Sequence, residues 1–231
     1  MLQLLARKLL AIALGGGAMA ILLSQLRKPS WWLGRLIARN MNARHARLTN
    51  WGLSHVQLEK TFTMLDVGCG GGRTIDTLAT VATDGMVYGI DYSAASVATA
   101  RRTNAAWIEK GRVDIQQGSV SALPFPAETF DVVTAVETHY YWPDLDADLR
   151  EILRVLKLGG AFVIIAETYR GRRMDWLYRP TMRLLRATYL SVDEHRELFE
   201  RAGFGHVEVF TERAHGWICV IGRRPRVKEV R

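Results

Sequence analysis

The chain has 231 residues, of which 48% are apolar and 23% charged. That composition excludes intrinsic disorder, collagen-like repeats and a multi-span membrane protein, and it suits one main α/β domain with an appendage. The two cysteines, Cys69 and Cys219, exclude a disulfide framework and lack the spacing of a thiolate metal site, so a reducing compartment and no metal are expected.

The net charge of +8 is local: Arg7, Lys8, Arg27, Lys28, Arg35, Arg39, Arg44 and Arg47 precede the first acidic residue, Glu59. Taking those eight from 31 leaves 23 basic residues against 23 acidic ones. The basicity therefore belongs to an N-terminal arm able to face anionic lipid, nucleic acid or an acidic substrate.

Leu9 to Leu26 carries no charge over 18 residues and is bracketed by Arg7-Lys8 and Arg27-Lys28. As a helix it would span about 27 Å, close to the roughly 30 Å hydrocarbon core, with apolar residues all around it and Trp31-Trp32 at the interface. A membrane anchor through residues 9–26 is expected. A hydrophobic helix packed on the domain and a signal peptide cleaved near Ala18-Met19-Ala20 are the alternatives. More basic residues follow the segment than precede it, which would put the rest of the chain on the cytoplasmic side of the membrane, or in the cytoplasm if there is no anchor. Residues 29–60 form a basic helical arm or cap.

From Thr61 short apolar strands alternate with helical stretches, the pattern of a parallel sheet with crossover helices. Strands are predicted near Thr63–Val67, Met86–Ile90, Val113–Gln117, Phe130–Ala135 and Ala161–Ala166, and helices near Gly72–Val81, Ala94–Lys110 and Leu145–Leu156. Ser191 and Glu194 form a capping-box signature for a later helix that closes at Gly203. The apolar runs His206–Phe210 and Trp217–Ile221 lack a crossover between them and should pair antiparallel. The domain is thus 61–222, with an insertion at 168–190 and a basic tail at 223–231.

The first strand ends Asp66-Val67 and runs into Gly68-Cys69-Gly70-Gly71-Gly72, where a helix starts. Such a turn lets the backbone approach a ligand and offers it free N–H groups. Asp91 ends the second strand, nineteen residues beyond Gly72, where a carboxylate can accept both ribose hydroxyls of an adenosine-containing cofactor. Tyr92 can cover an adenine face, and Gly118-Ser119-Val120 can meet its edge. A nicotinamide fingerprint would need a third glycine at position 73, where Arg73 stands.

The segments LDVGCGGG, GIDYS, GSVSALPF, FDVVTAVE and LREILRVLKLGGAFVI resemble the successive motifs of class I S-adenosylmethionine-dependent methyltransferases, particularly the methyltransferase type 11 group. The resemblance covers roughly Thr61 to Ile221. It implies a Rossmann-like seven-stranded sheet of order 3-2-1-4-5-7-6 with strand 7 antiparallel and helices on both faces, with S-adenosyl-L-methionine as cofactor. It also implies that Asp66, Gly68, Cys69, Gly70 and Gly72 hold the methionine end, Asp91 the ribose, and Tyr92, Ser119 and Val120 the adenine. Ser119 departs from the usual Asp and Leu158 from the usual Pro.

Acceptor contacts are expected from the loop Glu137-Thr138-His139-Tyr140-Tyr141-Trp142-Pro143. There His139, or else Glu137, would accept a proton, Glu137 could instead orient the cofactor amine, and Tyr140, Tyr141 and Trp142 would form an apolar wall. The insertion, placed where relatives carry a lid, and the arm with His45 and Trp51 are further candidates. The expected activity is in-line methyl transfer to a small lipophilic or amphipathic acceptor. The alternatives are RNA methylation, disfavoured because no stacking or sequence-reading RNA motif occurs, and a non-catalytic cofactor-binding module. The sequence does not assign an oligomeric state.

Overall fold

Along β1 (Thr63–Val67) neighbouring residues serve opposite faces of the sheet: Met64 joins one buried cluster and Leu65 the other. Val132 and Val133 of β4 (Phe130–Val136) divide in the same way, as do Val163 and Ile164 of β5 (Leu156–Ala166). A strand apolar on both faces has to be covered on both, which explains why helices lie on each side of this sheet. The computed structural model describes residues 46–173 and 175–226. The expected membrane segment, His45 and the end of the tail lie outside them. Among the described residues no helix is long and apolar enough to cross a membrane.

With β2 (Met86–Asp91), β3 (Val113–Gln117), β6 (Gly205–Glu212) and β7 (Trp217–Arg223), the strands form one seven-stranded sheet in the order β3-β2-β1-β4-β5-β7-β6. The first five are parallel, and β7 runs antiparallel to both neighbours, as the missing crossover requires. The helical residues 46–53 (α1), α2 (Arg73–Val81) and α3 (Ala94–Thr103) pack on one face through Leu48, Ile75, Leu78 and Val97. A short α4 (Ala105–Glu109) follows α3. On the other face α5 (Leu145–Val155), α6 (Asp175–Leu184) and α7 (Val192–Ala202) contribute Leu149, Ile152, Met182 and Phe199.

Most element ends fall within one or two residues of the sequence expectation, and two depart further. The single helix expected over Ala94–Lys110 breaks at Asn104, whose buried amide donates to Gly72 O and Ala100 O, each at 2.9 Å, and so ties the helix end to the glycine turn. Strand β5 begins five residues early because Leu156 already pairs with Phe130, the register then shifting before Ala161 meets Val132. The expected caps form. Ser191 Oγ accepts the Glu194 N–H while the Glu194 carboxylate accepts the Ser191 N–H, and α7 ends at Gly203 in the left-handed conformation.

Candidate cofactor and acceptor site

The carboxyl ends of β1, β2 and β4 open into a cavity of about 270 Å³, the usual ligand position in an open parallel sheet. Backbone geometry builds its floor. Gly68 and Cys69 both donate to Ile90 O, at 2.8 and 3.0 Å, which clamps the turn after β1 against β2. Gly70 N–H donates to Asp91 Oδ2 at 2.9 Å, and Ser93 N–H to Asp91 Oδ1 at 2.8 Å. Each Asp91 oxygen is thus oriented by one backbone donor and keeps acceptor capacity for another.

Gly70 lines the cavity at φ 52°, and a Cβ added there would meet no protein atom within 4 Å, so the missing side chain leaves ligand space. Gly72 behaves differently, and the expectation that it touches the cofactor is corrected. It does not line the cavity, and its Cβ would fall 2.8 Å from Ala100 Cα, so this glycine serves the close approach of α2 and α3.

Register places Asp66 between Gly89 and Thr134. The Thr134 hydroxyl donates to Asp66 Oδ1 at 2.7 Å. Burial pushes the Asp66 pKa up to about 7 against that hydrogen bond, and the nearby Asp91 charge adds to the rise. Burial likewise raises Asp91, opposed by its two N–H donors. Among the described residues no lysine or arginine pairs with either carboxylate. Two buried carboxylates without a cation suit a ligand that brings positive charge and hydroxyl donors. An amino-acid ammonium, a sulfonium and a ribose diol supply both.

Binding an ammonium beside Asp66 should therefore release a proton. Below pH about 7 the ligand-free carboxyl is protonated and that proton must leave, so affinity should fall with decreasing pH by up to about tenfold per unit. Calorimetric titration with S-adenosylmethionine at pH about 7.0 and 5.5, in buffers of different ionisation enthalpy, measures the proton. Asp66→Asn should bind weakly and with no such pH dependence.

Tyr92, Ser119 and Val120 line the cavity with Gly68 and Cys69, so the structure brings these candidates together. Thr138 and Pro143 of the expected acceptor loop line it too, and so do Thr49, Arg73, Thr74 and Ser96, which went unrecognised in the sequence. Arg73 and Thr74 open the helix after the glycine turn and were open to inference from that position. Thr49 carries no such signal.

The loop after β4 divides its side chains. Glu137, at φ 58°, and Tyr141 and Trp142 line the cavity. His139 does not: it is fully buried, its Nε2 lies 3.3 Å from His195 Nε2 on α7, and burial, with the neighbouring His195, lowers its pKa well below the usual imidazole value. The expectation of His139 as acceptor base is corrected accordingly. The 3₁₀ turn His139–Tyr141 points its ring into the core, where only neutral imidazole is tolerated. Tyr140 is also buried away from the wall, and its hydroxyl lies 3.2 Å from Glu137 Oε1 and 3.3 Å from Thr168 O. The Glu137 carboxylate also accepts the Glu167 N–H, so Tyr140 positions Glu137 instead of facing substrate. Trp51 is corrected too: it packs against His55 and Trp217, with ring centroids 5.0 and 5.7 Å away, and does not reach the cavity.

A glycine turn clamped to a ribose-type carboxylate, in a 3-2-1-4-5-7-6 sheet, defines an adenosine-cofactor site of the methyltransferase class. Residues 65–164 match the methyltransferase domain family. Demethylmenaquinone methyltransferase of Symbiobacterium thermophilum is 34% identical over 169 residues, covering 61% of this chain and 67% of that protein. The chloroplastic 2-methyl-6-phytyl-1,4-hydroquinone methyltransferase 1 of Oryza sativa subsp. japonica is 32% identical over 148 residues, 63% of this chain and 42% of that protein. The chain thus spans about two thirds of the first relative and under half of the second. A Haloferax volcanii putative methyltransferase, solved with its Trm112 activator, superposes with a TM-score of 0.72 at 25% identity, over 81% of this chain and 93% of that one. The chain belongs to the class I S-adenosylmethionine-dependent methyltransferases, and S-adenosylmethionine is its cofactor.

Proposed function

We propose that the protein methylates an aromatic hydroquinone or phenol that carries an apolar tail. The observation that carries this reading is the wall after β4: Tyr141, Trp142 and Pro143 line the cavity while the loop's histidine faces away from it. An aromatic wall favours a flat, apolar acceptor. Without an imidazole base the acceptor must be electron-rich itself, which an ionisable phenol or hydroquinone is. The relatives named for demethylmenaquinone and for a phytyl hydroquinone support the same chemical class.

Asp66 would hold the methionine ammonium, Asp91 the ribose hydroxyls, and Tyr92, Ser119 and Val120 the adenine. Bound S-adenosylmethionine supplies an electrophilic methyl on sulfur. An acceptor ring carbon or oxygen would take that methyl as the carbon–sulfur bond breaks, S-adenosylhomocysteine would be released, and the proton displaced from the acceptor would pass to water. Glu137, fixed by Tyr140 and the Glu167 N–H, orients the reactants at the wall. Residues 9–26 would anchor the domain 61–222 at the cytoplasmic face of the membrane, where such acceptors concentrate.

The test is transfer of isotope-labelled methyl by the full chain in detergent to a tailed hydroquinone, the same ring without its tail, and transfer RNA. Burying several methylenes at about 0.8 kcal/mol each should favour the tailed acceptor by at least about tenfold. Equal use of the tail-less ring would refute the lipophilic reading, and label in RNA alone would replace it with RNA methylation.

A further inference from the structure

After β5 the chain carries six arginines and one acidic residue between Arg170 and Arg186. Within α6 positions 176, 179, 180, 183 and 184 follow the spacing of one helical face. They are Trp176, Arg179, Pro180, Arg183 and Leu184, and all are exposed, Trp176 at 69% and Leu184 at 66%. The opposite side is what attaches the helix: Asp175, Met182 and Leu185 are buried, while Tyr178, still exposed, packs against the Arg172 guanidinium 4.3 Å from its ring. A helix with its own buried face has no folding reason to present tryptophan and leucine to water on the other.

The charge on that outer face is largely uncompensated. Arg179 pairs with Asp175 at 2.7 Å, but among the described residues Arg183 on that face, and Arg173 and Arg186 on either side of the helix, have no carboxylate partner. Arg179, Arg183 and Arg186 line a common groove with Pro180 and Leu184. Guanidinium groups bind phosphate oxygens bidentately, and an indole beside them is suited to the headgroup boundary of a bilayer.

The helix also hangs at the cavity end of the sheet. Asp175 Oδ1 accepts the Tyr189 hydroxyl at 2.5 Å, Tyr189 lies 3.4 Å from Thr168 Oγ1, and Thr168 O faces the Tyr140 hydroxyl that reaches Glu137 in the cavity wall.

From these observations we infer that the outer face of α6 is a membrane-docking surface for anionic phospholipid, with Trp176 and Leu184 entering the headgroup boundary and Arg179, Arg183 and Arg186 holding phosphates. The surface is separate from residues 9–26, and its test reads position in the membrane, not methyl transfer, so it stands or falls independently of the acceptor.

Cys69 and Cys219 are buried, so Leu184→Cys can be labelled selectively with an environment-sensitive fluorophore, and Thr80→Cys, exposed on the opposite side of the sheet, provides the control. The labelled full chains are mixed with phosphatidylcholine vesicles, with or without about 30 mol % phosphatidylglycerol. The label at 184 should shift to the blue on anionic vesicles and the label at 80 should not. The response should weaken at least about tenfold in apparent affinity in about 0.5 M salt or with Arg179→Glu and Arg183→Glu together.

A label at 184 that stays in water while the chain sediments with anionic vesicles would overturn the inference and leave binding to the N-terminal segment. An equal response on pure phosphatidylcholine would remove the anionic specificity. A response to RNA but not to vesicles would reassign the arginines to nucleic acid.

Discussion

Asp91→Ala is expected to weaken S-adenosylmethionine binding by at least about 100-fold, because the carboxylate does two things at once. Its oxygens accept Gly70 N–H at 2.9 Å and Ser93 N–H at 2.8 Å, holding the glycine turn against the end of β2. The same oxygens keep lone pairs for the cavity, where the proposed ribose hydroxyls would donate to them. Each hydrogen bond to a charged acceptor is worth about 1.5–3 kcal/mol, so losing two ribose contacts alone accounts for the factor, and loosening of the turn adds to it. Asp91→Asn should retain part of the turn and bind better than the alanine variant. Titration calorimetry compares the three, with unfolding curves showing that they remain folded. An unchanged dissociation constant in Asp91→Ala would remove the ribose assignment.

Acidification is expected to destabilise the protein through the buried pair His139 and His195. Burial lowers both pKa values, and at His139 the neighbouring His195 adds to the effect. Unfolded histidine titrates near about 6.5, so below that value the unfolded chain binds protons that the folded pair refuses. This stability is fully present above about pH 6.5 and is lost as pH falls from there toward the depressed native values, by up to about 1.4 kcal/mol per unit for each ring.

Asp66 acts in the opposite sense. With its folded pKa raised to about 7, it takes up a proton in the folded state before the unfolded chain does, which favours folding as pH drops. Comparison with a His139→Leu, His195→Leu variant cancels that contribution. Urea unfolding at pH about 8 and 5.5 should show wild type losing more stability than the variant across the interval. Parallel losses would mean that the pair does not carry the acid sensitivity. Because His139 faces away from the cavity, cofactor affinity at pH about 8 should change little in the variant.

How far the sequence reaches depends on whether a feature is set by neighbours along the chain or across it. The bounds of β1 and β3, the α7 cap and the antiparallel end of the sheet were all legible. Each follows from a local pattern: residues apolar on both faces in β1 and on one face in β3, a serine three residues before a glutamate, or the absence of a crossover. That the glycine turn after β1 meets Asp91 at the end of β2 was legible for the same reason, since the two belong to neighbouring strands of one sheet. The break at Asn104 was not, because its amide is satisfied by Gly72 O, 32 residues away.

The acceptor half shows the same division in its side chains. The sequence by itself determined that a loop rich in aromatic and titratable groups follows β4, and that Gly70 and Asp91 come together at the end of the sheet. Only the tertiary structure decided that Tyr141 and Trp142 turn to the cavity while His139 and Tyr140 turn inward. A three-residue 3₁₀ turn has no periodicity long enough to mark an inner face. The direction of His139 is set by His195, 56 residues further on, and that of Tyr140 by Glu137 and by Thr168 O, reached only once β5 lies beside β4.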